Sequence, residues 1–160
     1  MRMTPRIGAI VVLLFAVVWL WLGATALPLP WRAIAGIVGG ATILAAAWRV
    51  LRYPVRGGAR WHGSKFAVAV AFEIVAANVG AWFLVKNGLT GYMWPMLGIV
   101  VALHFIGLWW ASLDRRFLSL TAAMLAVNVV ACFFPPGGTA MLAVTGLGSA
   151  TVLAGAMVRP

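Results

Sequence analysis

Six runs of apolar residues, each close to the length of a membrane span, alternate with short polar separators along the chain. A helix needs about 20 mostly apolar residues to cross a hydrocarbon core of about 30 Å. The runs at 7–26, 33–50, 66–85, 91–112, 117–134 and 139–157 meet that requirement. The separators between them carry Pro, Gly or charge: LPLPWR, RYPVRGGARWHGSK, KNG, DRR and PPGG. None is long enough to hold a second domain. The pattern predicts a single all-α membrane domain over residues 1–160, a polytopic six-transmembrane-helix bundle.

The first run could be taken for a secretory signal, since Ala24-Thr25-Ala26 resembles a cleavage site. The stretch from Ile7 to Ala24 exceeds the usual signal core of about 7–15 residues, however, so an uncleaved span is expected.

Composition supports the same class: 64% of the 160 residues are hydrophobic and 9% are charged, far from the balance of a soluble domain. The formal charge of +10 would suggest nucleic acid in a soluble protein. Basic residues in membrane proteins collect instead in cytoplasmic loops. With six spans, one side receives Arg2, Arg6, Arg49, Arg52, Arg56, Arg60, Lys65, Arg115, Arg116 and Arg159, and the other only Arg32 and Lys86. Both termini are therefore expected on the cytoplasmic side of a bacterial inner membrane, with no nucleic-acid partner. Arg49, Arg52, Arg56, Arg60 and Lys65 are expected to contact anionic lipid headgroups.

Trp and Tyr favour the headgroup level. Trp19, Trp21, Trp31, Trp82, Tyr92 and Trp94 fall near the outer span ends, and Trp48, Tyr53, Trp61, Trp109 and Trp110 near the inner ends.

Helices associate in lipid through small residues that allow close backbone approach. Span two carries Gly36 and Gly40 in a GxxxG, a surface through which copies of the chain could form a homo-oligomer. Span six carries Gly148, Thr151 and Gly155; span three carries Ala69, Glu73, Ala76, Ala77 and Gly80 on one face. A shift of 50 residues lays spans three and four on five and six, aligning Asn78 with Asn128 and Phe83 with Phe133. This suggests a duplicated hairpin, 66–112 and 117–157, with both copies in parallel orientation.

Against this apolar background the strongly polar residues within spans are few: Glu73, Asn78, His104 and Asn128. Counting about 1.5 Å per residue from each span centre puts Glu73 and His104 at one level, about 3–4 Å to the cytoplasmic side of the midplane. Spans three and four are joined by a short turn, so the two groups are expected to meet. The same count puts Asn78 and Asn128 a few ångströms above the midplane. An isolated carboxylate at this depth costs at least about 2.5–3.5 kcal/mol. Glu73 must therefore be protonated, paired with His104, or in contact with water. A Glu–His pair suits proton-linked transport, with Asn78 and Asn128 lining or bracing the path. The alternative is a hydrogen bond that fixes helix register in a non-catalytic membrane scaffold or accessory subunit. One Glu and one His are too few for an ordinary metal or haem site, and no metal or other cofactor is expected.

The sequence contains no Gly-rich phosphate loop, nucleophile elbow, HExxH or paired carboxylates. Cys132 is the single cysteine, which excludes an intramolecular disulfide and CxxC redox chemistry. Asp114 beside Arg115 and Arg116 reads as an exposed ion pair. The stretch WPMLGIVVALHF at 94–105 resembles a W-P-x-x-G-x-x-x-x-L-H-F pattern in small bacterial multi-span membrane proteins of uncharacterised type. The resemblance covers spans three and four and implies no activity. It implies only that Trp94, Pro95, His104 and Phe105 belong to one constellation with Glu73.

Overall fold

The computed structural model describes residues 5–53 and 62–158. Among these the regular elements are all helical: α1 (Pro5–Ala26), α2 (Trp31–Arg52), α3 (Gly63–Lys86), α4 (Met93–Ser112), α5 (Arg116–Ala131), α6 (Thr139–Ala143) and α7 (Ser149–Val158). A 3-10 turn at Thr90–Tyr92 leads into α4, and a π segment at Val144–Gly148 joins α6 to α7 in one continuous helix. Among the described residues, five helices are long and apolar enough to cross a membrane: α1, α2, α3, α4 with its leading turn, and the joined α6–α7. The molecule is an α-helical membrane protein.

The sixth apolar run is shorter as a helix than the sequence suggests. Spacing predicts a span over 117–134, but α5 is a 16-residue helix ending at Ala131, about 24 Å long. Pro135 and Pro136 explain the early stop. Proline has no N–H to give back to the last turn and disfavours helical geometry in the residue before it. At the other end of α5, Asp114 Oδ1 accepts the Arg116 backbone N–H at 3.0 Å. The aspartate thus serves the helix start, where a negative charge also complements the helix dipole. Leu113, in the left-handed region at φ 58°, turns the chain between α4 and α5.

Packing runs in the order α3, α4, α5, α6–α7, α1, with α2 lying against both α1 and α7. Close approaches fall on small residues, as helix association in lipid requires. Gly107 of α4 meets Ala69 of α3, Gly148 meets Val127 of α5, and Gly39 of α2 meets Leu20 of α1. Gly23 of α1 crosses Gly146 of the π segment with backbone facing backbone. A core of Leu13, Ala16, Trp19, Ile43, Ala46, Phe105, Met124 and Leu153 joins α1, α2, α4, α5 and α7. Helix α3 contributes little to it: Phe66 packs against this core, and within α3 only Ala69 and Leu84 are buried.

Two details of packing differ from the sequence pattern. Trp19, expected in an outer belt, is 5% exposed and packs edge-on against Trp94, with ring centroids 6.4 Å apart. Gly36 and Gly40, the GxxxG pair of α2, have open space where a β-carbon would stand, and Gly155 of α7 does too. The GxxxG therefore packs against nothing within the described chain.

Candidate functional site

Helix α3 lays its small-residue stripe on α4, and the stripe carries Glu73 with it. Ala69 sits against Gly107, Gly80 against Met96, and between these contacts His104 reaches across from α4. His104 Nδ1 lies 3.3 Å from Glu73 Oε2 and 3.1 Å from the backbone oxygen of Ala69. Both neighbours are oxygens. An imidazole nitrogen facing two acceptors is the one that carries the hydrogen, so Nδ1–H donates to both.

The ring is held firmly. His104 is 9% exposed and Phe105 beside it stacks on Phe117 of α5, with centroids 6.2 Å apart. The Glu73 side chain keeps 26% of its surface open, at the edge of the α3–α4 seam. The pair thus combines a buried imidazole with a glutamate side chain that is partly open.

The two amides do not join it. Asn78 lies on the exposed face of α3, its Nδ2 turned back to the Ile74 carbonyl at 2.7 Å. Asn128 is fully buried between α4, α5 and α7: Nδ2 donates to Met124 O at 2.8 Å and to Ser149 Oγ at 3.2 Å. Its amide rests on the bare α-carbon of Gly98 in α4. Asn78 and Asn128, aligned by the 50-residue shift, therefore occupy opposite environments, whereas Phe83 and Phe133 are both exposed. Trp94 stands ten residues from His104 along α4, about 15 Å, in contact with α1, and Pro95 is fully buried. Of the W-P…L-H-F stretch, only His104 reaches Glu73 among the described contacts.

Basic residues at the helix ends lie over aromatic rings, an arrangement suited to the headgroup level. The Arg52 guanidinium is 4.2 Å from the Trp48 ring centroid, the Lys65 ammonium 4.9 Å from that of Trp110, and Arg49 6.0 Å from that of Tyr53. Arg56 and Arg60 lie outside the described residues, as do Arg2, Trp61 and Arg159. Among the described residues no three His, Cys, Asp or Glu side chains gather as metal ligands would.

Three participants were not evident from residue type: the Ala69 carbonyl, Gly98, and the Ser149 hydroxyl. Backbone oxygens leave no trace in a sequence. Ser149 could have been found from its spacing of four residues from Thr145, which puts two hydroxyls on one helix face.

No protein-family model, curated protein or solved structure matches the chain.

Proposed function

We propose that the chain crosses a bacterial inner membrane six times with both termini in the cytoplasm, and that it is a small proton-linked transporter or channel-like protein. Glu73 and His104 form its proton-exchanging site. The observation carrying this reading is the 3.3 Å contact between Glu73 Oε2 and His104 Nδ1 with a quarter of the glutamate side chain open. Intramembrane ionisable groups are rarely retained without use, because each is costly to insert. Short α5 acts as the fifth span in this reading, which keeps ten basic residues on the cytoplasmic side and two outside.

The pair lies at a two-helix seam near the edge of the molecule, so a path past it needs a further wall. A second copy of the chain supplies that wall, docking on the exposed face of α3 that carries Asn78. Arg49, Arg52 and Lys65 hold the cytoplasmic rim to anionic lipid.

A second reading has its own support. The Ala69 carbonyl shares the Nδ1 hydrogen at 3.1 Å, as it would if the imidazole served to lock α3 onto α4 in a membrane scaffold.

Proton flux into proteoliposomes under a pH gradient separates the two. Flux in the wild type that falls at least tenfold in Glu73→Gln supports transport. Absence of flux under every gradient, or equal flux in the variant, leaves the scaffold reading.

A further inference from the structure

Asn128 is held in one orientation. Its Nδ2 faces the Met124 carbonyl, and turning the amide over would set oxygen against oxygen, so Oδ1 must lie on the other side. There Oδ1 is buried, next to Gly98, with no hydrogen-bond partner among the described residues. Thr145 is also fully buried, and its Oγ1 likewise lacks a partner. This is unusual for a helical threonine, whose hydroxyl ordinarily donates to the carbonyl four residues back. Thr25, Thr42, Thr121 and Thr151 all do so in this molecule. Thr145 differs by lying in the π segment, where the backbone ladder is offset by one residue.

Ser149 stands four residues on, at the same helix face, and is fully buried too. Its Oγ accepts from Asn128, which leaves its own O–H without an acceptor among the described residues. The set of free groups is therefore mixed: an acceptor at Asn128 Oδ1, a donor and acceptor at Thr145, and a donor at Ser149. A cation would need both hydroxyl hydrogens turned away toward acceptors the site does not offer. One water molecule has the matching valence, donating to Oδ1 and accepting from the two hydroxyls, close to the three bonds typical of internal waters.

We propose that Asn128, Thr145 and Ser149, closed over by Gly98, bind a single internal water that bridges α5 to the π segment. The site is separate from Glu73 and His104 and does not depend on their role.

The test rests on a difference of sign. Replacing a hydrogen-bonded hydroxyl by a methyl group destabilises, whereas replacing an unbonded buried one stabilises. In detergent-solubilised protein, Thr145→Val is expected to lower Tm by roughly 2–4 °C, and Thr145→Ser, which keeps the hydroxyl, by less. Bridged groups are also coupled, so Thr145→Val and Ser149→Ala together should cost less than the sum of the two. A rise in Tm for Thr145→Val, or strict additivity, overturns the proposal. So does an experimental map that shows Thr145 bonded directly to Asn128, or no density between them. Density for one water within hydrogen-bond distance of all three groups establishes it.

Discussion

Glu73 and His104 meet at 3.3 Å, but they do not depend on each other equally. His104 keeps a second acceptor in the Ala69 carbonyl, and its ring is buried. Glu73 is partly open. Changing Glu73 to Gln retains an oxygen that can accept from Nδ1–H while removing the ionisable group. Stability should therefore change by less than about 1 kcal/mol, whereas proton flux should fall at least tenfold. His104→Ala removes the donor to both oxygens and leaves a gap against Phe105 and Ala69, at a cost of about 2–4 kcal/mol. Thermal unfolding of the two variants in the same detergent checks the asymmetry. Equal losses would mean that the seam depends on the carboxylate as much as on the imidazole.

The glycines divide into those that let backbones touch and those that face open space. A β-carbon at Gly146 would run into the backbone of Gly23 and Trp19, which no rotamer change can relieve. Gly146→Ala should force α1 and the π segment apart, costing about 1–3 kcal/mol. At Gly36 nothing stands within 4 Å. Gly36→Ala should leave the isolated chain as stable as before, or more so, by up to about 1 kcal/mol from helix propensity. Chemical or thermal denaturation under dilute, monomeric conditions should give shifts of opposite sign.

The helices and the Glu–His pair were legible because each rests on a simple rule. Span length follows from bilayer thickness, and the shared level of Glu73 and His104 follows from a constant rise along antiparallel helices joined by a short turn. The two asparagines show where such rules stop. Asn78 and Asn128 match in depth and in the 50-residue alignment, yet one is exposed and the other fully buried. Which side of a helix is covered depends on how many neighbours it has, and an all-round apolar helix gives no signal of that number. Helix α3 packs chiefly on α4, whereas α5 lies between α4 and α6–α7. The same blindness applies to Trp19, whose indole suits either an interface or a core. The close crossing at Gly23 was missed because neither Gly23 nor Gly146 belongs to a GxxxG.

Asn128 and Gly98 form a lock whose two parts can be changed together. The amide rests directly on the Gly98 α-carbon while bonded to Met124 O and Ser149 Oγ, so it cannot swing aside without losing both bonds. Gly98→Ala should cost about 1–3 kcal/mol. Shortening the partner makes room, so adding Asn128→Ala to Gly98→Ala should cost less than the sum of the single changes. A double-mutant cycle measured by thermal unfolding gives the coupling directly. Strict additivity would show that the new methyl group is accommodated by a shift of α4 instead.

Self-association is expected to depend on α3 as well as on the GxxxG of α2. Asn78 uses one amide hydrogen on the Ile74 carbonyl, leaving Oδ1 and its other hydrogen on an exposed face among Ile74, Val75 and Trp82. In lipid these groups have no solvent partner, and a carboxamide on a second copy complements them exchange for exchange across a two-fold axis. Replacing Asn78 by Leu should weaken association roughly 3- to 30-fold, the equivalent of one intramembrane amide bond, without lowering the stability of the isolated chain. Energy transfer between donor- and acceptor-labelled chains in liposomes, followed as lipid dilutes the protein, reads that constant. Gly36→Leu serves as the comparison, since it blocks the α2 face and leaves α3 intact. Loss only in Gly36→Leu assigns the contact to α2, and loss only in Asn78→Leu assigns it to α3. Energy transfer at the random-encounter level in the wild type would leave Glu73 facing lipid, and a proton path walled by a second copy would be ruled out.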